Sequence, residues 1–99
     1  GQRYYDAGLN RVRAEILLDK SSDAVEEAEA LFGQSLEIAR RQEAKMLELS
    51  TATSLARLWQ RQGKRDAARA LLAPLYAWFT EGFDTRDLIA AKALLDELR

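Results

Sequence analysis

The sequence predicts an all-α fold, with antiparallel helix pairs stacked as a short right-handed superhelix and a terminal helix closing the stack. Three observations carry this reading. Apolar residues recur at helical spacing through most of the 99 residues. Five glycines and one proline are too few for a turn-rich all-β chain. The segment Ala28 to Phe32 has a counterpart 40 residues later, Ala68 to Leu72. The length suits one small domain over residues 1–99, and a composition 47% apolar and 31% charged excludes disorder for the bulk of it.

Five helical segments follow in order. The first runs from about Gln2 to Asp19, with Leu9, Val12 and Ile16 on one apolar face. Lys20-Ser21-Ser22 breaks it. Asp23 is placed to cap the second helix, and Glu26, three residues on, completes a capping box. The cap matters because the first N–H groups of a helix have no partner inside it. Val25, Ala28, Phe32, Leu36 and Ala39 carry the second apolar stripe to about Arg41. The third helix runs from about Lys45 to Gln62, with Leu49, Ala52, Leu55, Ala56 and Trp59 inward, and Gly63 ends it in a left-handed conformation. The fourth spans about Asp66 to Phe79, burying Ala68, Leu71, Leu72, Leu75 and Phe79, with a kink expected at Pro74. Gly82 lets the chain reverse, Asp84 or Thr85 caps the fifth helix, and Leu88, Ala91, Leu94, Leu95 and Leu98 form its stripe. Repeat one therefore covers about 2–43, repeat two about 45–79 and the capping helix about 85–98.

The spacing of Leu55, Ala56, Trp59, Ala68, Leu72 and Leu75, with Gln62-Gly63 at the turn, resembles a tetratricopeptide repeat. Ala52, Ala56 and Thr80 stand where that repeat carries tryptophan, glycine and proline. The first unit matches less well, with Ala14, Leu17, Ala28, Phe32 and Ser35 in the key places. A wider resemblance rests on Arg3 to Asp6, Leu36 to Gln42, Thr53 to Trp59 and, above all, Trp78-Phe79-Thr80-Glu81-Gly82-Phe83-Asp84-Thr85. These segments are similar to the C-terminal helical-repeat ends of large bacterial signalling proteins. Those proteins join a nucleotide cyclase or winged-helix regulator to an AAA-type ATPase module. The resemblance implies the end of such a repeat array, without the cyclase or ATPase residues. A start without methionine, inside a predicted helix, likewise predicts a piece of a longer protein.

The residues themselves point away from catalysis. With no histidine and no cysteine, the usual general base, thiolate nucleophiles and the commonest transition-metal ligands are missing. Asp19 to Asp23 offers oxygens at alternate positions, but Ala24 and Ala30 occupy the glycine and glutamate places of a calcium loop. Gly63-Lys64 lacks the rest of a phosphate loop. The carboxylate pairs Glu26-Glu27, Asp96-Glu97 and Glu43 with Glu48 are read as lying on polar, solvated helical faces, not in an apolar cleft. The sequence therefore predicts no enzyme, no metal and no cofactor.

Charge is segregated although the net value is only −1. Glu15 to Glu29 holds six acids and one base, and Arg57 to Arg69 holds five bases and one acid. The plain reading of the basic run is a solvated rim, or a complement to the acidic second helix; the functional one is a patch for an acidic protein. No aromatic interleaves with it for base stacking, so nucleic acid is not expected. No apolar run approaches the ~20 residues of a membrane span, so a cytoplasmic protein without membrane contact is expected.

The first helix of each unit lines the inner face of a repeat stack. The solvent-facing candidates there are Arg11 and Glu15, and Thr53, Arg57, Gln60 and Arg61. Arg57 and Arg61 suit an acidic or C-terminal carboxylate ligand, because guanidinium binds carboxylate bidentately. The expected function is protein–protein interaction or intramolecular regulation, its partner a protein or peptide that includes the rest of a parent chain. The alternative is a structural cap of a longer array with no ligand of its own.

Overall fold

A computed structural model describes residues 25–99. These residues form four helices and no strand: α1 Val25–Arg41, α2 Lys45–Arg61, α3 Arg65–Trp78 and α4 Arg86–Glu97. They match the second to fifth predicted helices within a residue or two. The first predicted helix, the Lys20–Ser22 break and the Asp23 cap lie outside the described residues.

The helices are amphipathic, and their apolar faces make one core. α1 contributes Ala28, Phe32, Leu36 and Ala39, and α2 contributes Leu49, Ala52, Leu55, Ala56 and Leu58. Ala68 and Leu72 come from α3, and Leu88, Ala91 and Leu94 from α4, with Leu98 just beyond its end. Leu71, Leu75, Phe79 and Leu95, expected inside, pack half-buried against this core. Among the described helices α2 is central and touches α1, α3 and α4, while α1 touches α2 alone and α3 touches α2 and α4. The alanines at the crossing points let helix axes approach, and the leucines and Phe32 fill the space between them.

Two turns of one design flank α2. After α2, Gly63 is left-handed at φ 79°; its N–H donates to the Gln60 carbonyl at 3.0 Å, and Lys64 N–H donates to the Trp59 carbonyl at 2.8 Å. This paired closure satisfies carbonyls that the helix end leaves free. After α1 the same two bonds recur, Glu43 N–H to Arg40 at 3.2 Å and Ala44 N–H to Ala39 at 2.9 Å, with Glu43 left-handed at φ 55°. The side-chain Cβ makes that conformation costly for any residue but glycine, so the sequence carries no sign of it.

The third connection is longer. Pro74 stands inside α3, exposed, and the helix continues to Trp78. Gly82, read as the residue that lets the chain reverse, is left-handed, and Thr85 N–H donates to its carbonyl at 2.9 Å. Thr85 is the cap residue of α4, but neither it nor Asp84 supplies the expected side-chain cap bond. The end of α4 is held from α3 instead. Arg65 Nη2 donates to the Glu97 and Arg99 carbonyls at 2.6 and 3.1 Å, and Arg69 Nη2 donates to the Leu98 carbonyl at 2.7 Å. Cations at a helix C-terminus also meet the negative end of its dipole.

Candidate functional site

The five bases of the Arg57 to Arg69 run have different fates. Arg65 and Arg69 are engaged on the end of α4, so part of the expected basic patch is a helix clamp. Among the described residues no ion pair links the run to acidic α1; there, Trp59 Nε1 donates to Glu29 Oε1 at 2.9 Å instead. Arg57 and Arg61 are exposed, lie one turn apart, and have no hydrogen-bond or ion-pair partner among the described residues.

Arg57 lines an open cleft between α2 and α4. Its walls are Ser50, Thr53, Ser54 and Arg57 from α2, and Arg86, Asp87 and Ala90 from α4. The spacing of Ser50, Ser54 and Arg57 puts them on one face of α2, because residues three and four apart are helix neighbours. Arg86 was not foreseen. It sits in the first turn of α4 without a partner among the described residues, where the helix dipole disfavours a cation. An unpaired base in a first turn was the signal for it in the sequence.

The other inner-face candidates fare differently. Thr53 is not solvent-facing: it is 4% exposed, and its hydroxyl donates to the Leu49 carbonyl at 2.8 Å. The reason is that α4 covers this side of α2, so Thr53 forms the floor of the cleft. Gln60 is half-buried and donates from Nε2 to Glu97 Oε1 at 3.3 Å, bridging α2 to α4 rather than facing a ligand. Arg11 and Glu15 lie outside the described residues.

A second concavity joins the α1–α2 turn to the end of α3. Glu48, whose side chain is 5% exposed, accepts from Arg40 Nε at 3.0 Å and pairs with Lys45 Nζ at 3.5 Å. Lys45 Nζ also lies 5.4 Å from the centre of the Trp78 ring. Trp78 is 58% exposed and meets Phe79 edge-on with ring centres 5.1 Å apart, while Phe79, on extended backbone just past the end of α3, packs on the core. The charges here answer one another, so this group ties the turn to α3. A buried carboxylate is tolerated because it is paired twice.

Among the described residues there is no group of three or more acidic side chains placed to hold a metal ion, and no helix is long and apolar enough to cross a membrane. The chain matches no known family model, no curated protein and no solved structure. The α2–α4 cleft therefore stands on its own geometry: two arginines from different helices, hydroxyls beside them, and open access to solvent.

Proposed function

We propose that the chain is a non-catalytic interaction module that holds an acidic protein segment in the cleft between α2 and α4. The observation that carries this is the convergence of Arg57 and Arg86 on one cleft, neither of them paired among the described residues. Bases serving stability in this fold are visibly engaged, as Arg65 and Arg69 are on the end of α4 and Arg40 on Glu48. Arg61, one turn beyond Arg57, extends the cationic strip. Guanidinium groups suit carboxylates, which they meet with two parallel N–H donors. The helical-repeat architecture suits the same role, and the rest of a parent chain, of the kind that the sequence resembles, is one source of such an acidic segment.

A direct test is capture of acidic peptides, with free and amidated C-termini, on the immobilised chain. Arg57→Glu with Arg61→Glu should abolish capture while helicity and melting stay nearly unchanged, because both side chains are exposed. Capture that persists in this variant removes the reading. A second reading, a structural cap without a ligand, is favoured by the close seating of Leu88, Ala91, Leu94 and Leu98 against the rest of the core. It predicts no capture by the native chain at any salt concentration.

A further inference from the structure

Three acids among the described residues are drawn partly or wholly out of water: Glu29, Glu48 and Asp87. Two of them are answered. Glu29 accepts from Trp59 Nε1 at 2.9 Å, and Glu48 meets Arg40 at 3.0 Å and Lys45 at 3.5 Å. Asp87 is half-buried and has no hydrogen-bond or ion-pair partner among the described residues, although Arg57 and Arg86 line the same cleft. Asp87 and Arg86 precede Ala90 by about one helical turn, so all three belong to the α4 wall of that cleft. The α4 dipole favours an acid in this first turn at any bearing round the helix. It does not account for an acid turned towards two arginines and pairing with neither. A carboxylate withdrawn from water without a partner costs free energy, and a docked segment would withdraw it further.

We infer that Asp87 determines the specificity of this cleft, and that the segment held there carries one basic side chain among its acids. This rests on the reading of the cleft as a site for an acidic segment and adds which acidic segments fit it. Arg57 and Arg86 take the carboxylates, and Asp87 takes the ammonium or guanidinium of the partner. At about 310 Å³ the cleft is at the small end of ligand pockets. It admits a few side chains rather than a whole helix, so the base stands close to the acids in the partner. A segment with acids alone would press a carboxylate towards Asp87 as water leaves, and that repulsion selects against it.

Two labelled peptides of equal length, titrated against the full chain, test this. In one all charged residues are glutamate; in the other a lysine replaces one central glutamate. Net charge alone favours the all-glutamate peptide on a cationic strip, so the opposite preference reads Asp87. The native chain should bind the lysine peptide roughly threefold or more tightly than the other. Asp87→Asn should weaken the lysine peptide and strengthen the all-glutamate one, which reverses the preference. Asp87→Glu should keep the native order. A structural role for Asp87 would move both peptides in the same direction, and that result overturns the inference. The native comparison needs no variant, so the test stands even where a substitution unsettles α4. A native chain that binds the all-glutamate peptide as tightly or more tightly overturns the inference and leaves the acidic-segment reading in place. Binding of neither peptide overturns both.

Discussion

α2 and α4 carry the same apolar pattern and end up differently buried. α2 touches three described helices, and its exposed residues are Arg57 and Arg61, with Ser50 and Ser54 half-buried near Arg57. α4 has two neighbours among the described helices, and Ile89, Lys92, Ala93 and Asp96 on its other side are exposed. Position in the stack, rather than pattern, decides how far each residue is buried. The supporting chemistry differs as well. Below α2, the buried hydroxyls of Ser35 and Thr51 meet at 3.2 Å. At the equivalent step below α4, the residues 40 and 39 places on are Leu75 and Ala90. The positions that hold a polar contact beside α2 are thus occupied by apolar residues beside α4.

The largest test of this comparison removes α4. Leu88, Leu94 and Leu98 are fully or nearly buried, and each is worth roughly 1.5–3 kcal/mol. Their sum rivals the low end of a domain's total stability at this length, about 5 kcal/mol. Deleting residues 85–99 should leave a chain that aggregates or melts without cooperativity, whereas the full chain unfolds in one transition. A truncated chain that stays monomeric with an unchanged melting temperature would show that α2 does not need its cover.

A smaller effect separates the two helices at one equivalent position. Ala56 of α2 is completely buried, and 39 residues later α4 carries the half-buried Leu95. Ala56→Leu should overpack the centre and cost about 1–3 kcal/mol, and Ala68→Leu, equally buried, should cost a similar amount. Leu95→Ala should cost less than a typical core deletion, because part of that side chain is already in water. Urea midpoints measure all three. If Ala56→Leu and Ala68→Leu are both silent, the alanines are not points of close approach.

Much of this fold is legible in the sequence. Periodicity located four helices, and the Leu49-Ala52-Leu55 and Leu88-Ala91-Leu94 stripes are buried as read. Gly63 announced its left-handed turn and Gly82 its chain reversal, because glycine adopts such backbone cheaply. Other features needed the third dimension. Thr53 lies on a polar stretch, and only the placement of α4 turns it inward. Arg65 and Arg69 look like members of a basic patch until the end of α4 is seen beneath them. Arg86 joins the cleft across 29 residues from Arg57, a separation that no helical period reports. Arg57 and Arg61 were found because they share a face at i, i+4, which is local and therefore readable.

The smallest test concerns how the chain enters and leaves α2, which differs from the long loop before α4. Both short turns close with the same pair of backbone bonds, yet one places Glu43 and the other Gly63 in the left-handed region. A Cβ in that region costs roughly 1–2 kcal/mol. At Gly63 a Cβ would meet nothing within 4 Å, so Gly63→Ala tests the backbone cost alone. It should destabilise by about 1 kcal/mol, a fall in Tm of about 4–8 °C at this size. Glu43→Gly relieves the same strain but gives the unfolded chain more freedom, which offsets about 0.4–1 kcal/mol of the gain. A net rise of a few tenths to about 1 kcal/mol is therefore expected, similar in size to the loss at Gly63, where the same unfolded-chain term enters with the opposite sign. Glu43 has no ion pair or side-chain hydrogen bond among the described residues, so nothing else should be lost with it. Thermal melts of the two variants, singly and together, should show opposite signs that add, since the turns lie at opposite ends of α2. If Glu43→Gly destabilises, the left-handed glutamate is held by something stronger than the turn, and the two turns are not equivalent.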